Sequence, residues 1–146
     1  MSDVFAIWYD TSAKVAPSIT LRSGCRLDDH MNHEDFDPSK DQISDEYLRK
    51  YICGLTYLDF SSLKYYLPYL ITYAESNYAS NDSDVIIDGL LETLKLDRFN
   101  KERLVLLSLD QKRSIIEFLK MLYCMRPSYY IIDLIDDWND FEGAAF

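Results

Sequence analysis

Leu-Thr-Tyr-Leu-Asp-Phe-Ser-Ser-Leu-Lys-Tyr-Tyr-Leu-Pro-Tyr-Leu-Ile-Thr-Tyr-Ala-Glu-Ser-Asn-Tyr, residues 55–78, is the most aromatic and apolar stretch of the chain. Leu63, Tyr66, Leu67, Leu70, Ile71 and Ala74 recur at helical spacing, so one stripe of the segment faces a core. Asp59 or Ser61 can offer a side-chain oxygen to the unpaired N–H groups of the first turn. Pro68 interrupts the pattern, because it has no N–H and its ring crowds the carbonyl of Lys64. The expectation is a helix kinked or broken at Pro68. Tyr65, Tyr66, Tyr69, Tyr73 and Tyr78 surround that point. They read first as rim residues of an amphipathic helix, and second as an exposed surface that docks a protein.

Working outward, 146 residues make one ordinary domain, residues 1–146, long enough to bury a core without a metal or disulfide staple. Hydrophobic residues make up 48% of the chain, with only four glycines and four prolines, too few for strands joined by tight turns. The predicted class is all-α: a single compact domain of five or six helices with a long acidic N-terminal loop. Cys25, Cys53 and Cys124 are odd in number and widely spaced, and read as reduced thiols of a cytoplasmic protein. The first residues lack a basic start and a long apolar run, and no uncharged stretch approaches a membrane span.

Boundaries follow from capping chemistry. Ser2 opens a short first helix with Val4, Ile7 and Trp8 on one face, and Ser18 to Leu21 reads as a short extended piece. Cys25 to Asp41 is the least regular segment, with Phe36 pinning it to the body. Ser44 caps a helix from Asp45 to about Cys53, where Gly54 suits the left-handed residue that ends it. Asp84 to Leu94 turns Ile86 or Ile87, Leu90, Leu91 and Leu94 inward, and close packing accounts for Gly89. Lys101 to Leu107 is a turn or short helix. Ser108-Leu109-Asp110-Gln111 is a capping box, opening a central helix that buries Leu109, Ile115, Ile116, Leu119, Leu122 and Tyr123. After Pro127, Ser128 caps a last helix with Ile131, Leu134, Ile135 and Trp138 inward, and the tail from Glu142 frays.

The formal net charge of −10 is unevenly spread. Residues 25–46 hold eight acids against two bases, 47–126 ten against eleven, and 133–142 five against none. Such a field repels phosphate backbones and attracts basic surfaces, which argues against nucleic acid as a partner. His30 and His33 lie among Asp28, Asp29, Glu34 and Asp35, but Cys-x4-His-x2-His is not a structural-zinc spacing and no second ligand pair follows. The acids also lack the mid-loop glycine and closing glutamate of a calcium loop. No metal or other cofactor is therefore expected. Nor does the chain hold a Ser/His/Asp arrangement, a glycine-rich phosphate loop or a His-Glu-x-x-His pair, so it reads as a binding protein rather than an enzyme.

Two pieces together carry a resemblance. Phe60 ahead of Tyr65-Tyr66-Leu67-Pro68-Tyr69-Leu70 resembles an aromatic-Tyr-Leu-Pro motif, and Ser108-Leu109-x-Gln111-Lys112-Arg113-x-Ile115-x-x-Phe118-Leu119 resembles its usual sequel. Upstream, Ile19-Thr20-Leu21 followed by Asp28-Asp29 is similar to the opening of the same set of small bacterial domains of unknown function. The resemblance spans about residues 18–122, rests on core and capping residues, and implies a fold without assigning a catalytic residue. In size and charge the chain resembles immunity-type proteins. The function expected is a non-catalytic protein-binding module, an immunity protein that neutralises a basic toxin partner through Asp28, Asp29, Glu34, Asp35, Asp133, Asp136, Asp137 and Asp140. Phe36, Tyr129, Tyr130 and Trp138 are the candidate anchors beside those acids. The alternatives are a housekeeping or interaction domain, and a hydrolase using the His30/His33 loop.

Overall fold

The computed structural model describes residues 7–8 and 16–142. Among these, seven α-helices follow in order, more than the five or six expected from sequence, and there is no strand. They are α1 (Leu21–Asp28), α2 (Asp45–Tyr51), α3 (Phe60–Asn77), α4 (Asp84–Leu94), α5 (Arg98–Leu104), α6 (Leu109–Met125) and α7 (Tyr129–Glu142). Two 3₁₀ turns, Ile52–Tyr57 and Asn81–Ser83, bridge α2 to α3 and α3 to α4. Ile7 and Trp8 are helical; the rest of the expected first helix and the tail beyond Glu142 lie outside the described residues.

Side-chain caps set most of the starts. Thr20, Ser44, Asp59, Asp97 and Ser108 each accept from the N–H three residues on, satisfying a donor the helix itself leaves unpaired. At Ser108 the bond is reciprocated, since Gln111 Oε1 accepts from the Ser108 N–H at 2.9 Å. The helices enclose one core, in which Leu63, Leu67, Leu70, Leu119, Leu122 and Trp138 are fully buried. Trp8 is buried as well, and its indole N–H donates to Ser114 Oγ at 3.3 Å.

Several expectations need correction. The helix α3 runs unbroken through Pro68. Its buried face holds Leu63, Tyr66, Leu67, Leu70, Ile71 and Ala74 as the spacing requires, and Tyr73 joins them. Tyr65, Tyr69 and Tyr78 are half-buried, so the tyrosines form a rim rather than an open docking surface. On α6, Leu109 is exposed, because a first-turn residue points past the end of the packed stripe. The short helix α5 starts at Arg98, ahead of the predicted turn, because Asp97 caps it.

The largest correction concerns residues 21–28. Leu21, expected to end an extended piece, and Cys25 to Asp28, expected to be irregular, belong to α1, which Thr20 caps and which packs its Gly24 onto Gly54. Gly54 does not end α2 with a left-handed residue, since no described glycine has positive φ. It is glycine because α1 passes directly over it. A Cβ on Gly54 would lie 2.1 Å from the Leu21 carbonyl oxygen, and one on Gly24 would lie 2.4 Å from that of Gly54. Beside this contact, Cys25 and Cys53 form a disulfide with Cα atoms 5.5 Å apart, contrary to the expectation of three free thiols; Cys124 alone is free and exposed.

Two outcomes follow from this junction. Gly54→Ala forces two backbones apart, so it should lose more stability in urea than Gly89→Ala, whose new Cβ meets only the Ile52 side chain at 3.0 Å. Replacing Cys25 and Cys53 by serine opens a loop with a separation of 28 residues, and denaturation should show a loss of roughly 3–4 kcal/mol.

Candidate functional site

The eight acids proposed from sequence fall into two structurally different groups. The first follows α1, which ends in a Schellman turn: the His30 N–H bonds the Leu27 carbonyl at 3.1 Å and the Met31 N–H that of Arg26 at 2.8 Å. His30 takes the left-handed position at φ 60°, usually given to glycine. His33 is also engaged. Ser23 Oγ accepts the Glu34 N–H at 3.0 Å and lies 2.8 Å from His33 Nδ1, while Nε2 lies 3.2 Å from Asp35 Oδ1. Both histidines thus have a part in shaping the loop, and among the described residues no group of three or more His, Cys, Asp or Glu could hold a metal ion.

The loop from Asp29 to Ser44 is organised by a buried cation, Arg22, projecting from α1. Its Nε and Nη2 donate to the two oxygens of Asp41, both at 3.0 Å, and Nη1 donates to Glu34. Asp41 is almost wholly buried, and also accepts from the Tyr47 hydroxyl at 2.8 Å and the Asp37 N–H at 2.9 Å. Burial alone would push the Asp41 carboxyl up. The Arg22 fork and those two further donors outweigh it and hold the group below the usual aspartate range. Glu34 is likewise lowered by its bond to Arg22, and Arg26 reaches it at 3.7 Å. Burial pushes the Tyr66 hydroxyl, which accepts from the Leu21 N–H, up to about 12.

Within this first group Glu34 is therefore committed to the fold, and Asp28 accepts from the Tyr57 hydroxyl at 3.0 Å. Asp29 and Asp35 remain exposed. The acidic loop starts at Asp29 rather than Cys25 and runs on to Ser44, and its acids are partly turned inward.

The second group differs. Asp133, Asp136, Asp137 and Asp140 are all exposed, on one face of α7 at i, i+3, i+4 and i+7, and none has an ion-pair partner among the described residues. Tyr129 extends the same face and is 87% exposed. Tyr130 leans toward α4, where its hydroxyl donates to Glu92 at 3.2 Å, bringing the exposed Asp88 and Glu92 alongside. The opposite face holds the helix in place. Trp138 is fully buried and its Nε1–H donates to the Leu94 carbonyl at 2.7 Å, while Phe141 meets its ring edge-on at 5.3 Å. Arg113 from α6 closes on Glu142 at 2.7 Å. Of the candidate anchors, then, Tyr129 is open, Tyr130 and Phe36 are partly covered, and Trp138 belongs to the core.

An acid-titration outcome follows from Asp41. A carboxyl with a lowered native pKa contributes stability that is fully present above the unfolded value, about pH 4, and is lost as pH falls through the native value. The parent should therefore lose stability more steeply than Asp41→Asn as pH drops below about 4, and melts across that range check it.

Among comparisons with known proteins, one family model matches residues 12–139, described as a family of unknown function (DUF6714). The match extends past both ends of the stretch that carried the resemblance. No curated protein and no solved structure matches the chain.

Proposed function

Because the chain belongs to this family of unknown function, no activity passes to it from a relative, and we propose from its surface that it is a non-catalytic module that binds a basic protein. Neutralisation of a cognate toxin, in the manner of an immunity protein, is the form of that role in which an acidic surface serves best. It speeds encounter with a basic target and disfavours other partners. The observation that supports the reading is the unpaired stripe Asp133, Asp136, Asp137 and Asp140, with Tyr129 at its end. From Tyr129 to Asp140 the stripe runs roughly 16 Å at 1.5 Å per residue. Four like charges on one face repel each other, so the cluster costs the isolated protein stability and gains only when a cation covers it. A general interaction domain would use the same surface.

The hydrolase alternative draws on His30 and His33, whose backbone and ring nitrogens already serve the loop. A cytoplasmic site of action goes with the proposed role. In a reducing cytoplasm Cys25 and Cys53 would be thiols, so trapping thiols at lysis in the native host reads the compartment directly. No described helix is long and apolar enough to cross a membrane.

The test begins with a partner recovered from the native host. A variant with Asp133, Asp136, Asp137 and Asp140 changed to asparagine should associate about tenfold more slowly at low salt, with a smaller change in dissociation. Changing Asp28, Asp29 and Asp35 should do less, and parental association should slow with added salt. Parental association rates in both variants, without a salt effect, would overturn the reading.

A further inference from the structure

Large hydrophobic side chains of this protein are mostly buried, yet two of the exposed ones share a single hollow. Tyr57 is 40% exposed and Phe99 52% exposed, and both line a depression of about 710 Å³ between the 3₁₀ turn, the start of α3 and α5. Phe60 adds a third ring, Asp59 and Glu102 add carboxylates, and the buried Arg103 backs the site. Asp59 is held ionised. Burial opposes its charge, but Ser62 and Ser18 donate to it and keep its carboxyl below the usual range. Among the described residues Glu102 pairs with the exposed Arg98 alone, at 3.8 Å, a weak pairing.

Arg103 is unlike Arg22. Among the described residues no carboxylate forms an ion pair with it, and Asp97 acts on it only at a distance. Nη1 donates to the Leu55 and Leu58 carbonyls at 3.2 and 3.0 Å, and Nη2 to Asn100 Oδ1 at 2.8 Å. Its Nε, although buried, has no acceptor. The Phe99 ring stands 4.7 Å from its guanidinium carbon. A buried donor without an acceptor is costly, and it marks a place where a further oxygen is wanted.

The seven-residue α5 also lines a second depression, where Lys101 sits with Asp137 and Asp140 of the stripe. An apolar centre with an acidic rim is complementary to one kind of occupant.

We propose that this hollow is the anchor pocket for the basic partner: a bulky apolar side chain of a lysine- or arginine-flanked segment enters between Tyr57, Phe60 and Phe99. The flanking cations meet Asp59 and Glu102. This deepens the basic-partner reading and rests on it.

The test is a titration of isotope-labelled protein, followed by amide chemical shifts, with three blocked peptides: Lys-Arg-Phe-Lys-Arg, Lys-Arg-Ser-Lys-Arg and Glu-Glu-Phe-Glu-Glu. The first should saturate and move the amides of Tyr57, Phe99 and Glu102, with the other two binding at least about tenfold more weakly there. Phe99→Ala, at an exposed position, should weaken the first peptide about tenfold with an unchanged circular dichroism spectrum, and Glu102→Gln should weaken it less. If the serine peptide binds as well as the phenylalanine one and moves only α7 amides, the anchor pocket is wrong while the acidic-stripe reading stands. If the acidic peptide binds the hollow as well as the basic one, the pocket takes an apolar group but the basic partner fails. Absence of any shift at Tyr57, Phe99 and Glu102 overturns the pocket.

Discussion

A guanidinium taken out of water is costly unless its charge is answered, and Arg22 is answered by two carboxylates inside the protein. The arginine comes from α1, and Asp41 and Glu34 come from the loop that follows. The Tyr47 hydroxyl that shares Asp41 comes from α2. One buried cation therefore dictates how sixteen residues without regular structure are folded, and it docks α1 against α2 in the process. It also explains why an acidic composition is a poor guide to an acidic surface. Part of the first block of negative charge answers Arg22 and Arg26, and only what is left faces solvent.

The second block shows the opposite arrangement. Everything that fixes α7 lies on its inner face: the Trp138 indole on the Leu94 carbonyl, Phe141 against that indole, and Glu142 on Arg113. The outer face carries charge that the fold does not use. A helix so anchored presents its carboxylates with little freedom of the backbone left to lose on binding, which lowers the cost of ordering an interface.

What the sequence revealed was local. Helical spacing found the buried faces of α3, α4 and α7. Capping at Ser44 and Ser108 set the starts of α2 and α6, because a cap is a matter of three residues. The stripe from Asp133 to Asp140 was legible for the same reason. What stayed hidden depends on residues far apart in the chain. Gly54 looked like a helix terminator, and its real constraint is the carbonyl of Leu21. Cys25 and Cys53 gave no sign of pairing until α1 crossed the 3₁₀ turn. Glu34 reads as a surface acid until Arg22 is seen beside it, and Tyr57 and Phe99 share a hollow only because α5 folds back beside the start of α3. Thr20 caps α1, but the short, polar run after it shows too little apolar periodicity to declare a helix from sequence.

The two tryptophans of the chain carry an optical consequence. Trp8 and Trp138 stand near opposite ends of the sequence, both fully buried, one giving its indole N–H to a serine hydroxyl of α6 and the other to the carbonyl that closes α4. Each emission is thus a report on the seating of one terminus. With Trp138 replaced by phenylalanine, the remaining signal follows the amino end alone; with Trp8 replaced, it follows the helix that displays the charge. Intrinsic fluorescence can in this way separate loosening of the acidic helix from unfolding of the body, without attaching a label to the surface where a partner would sit.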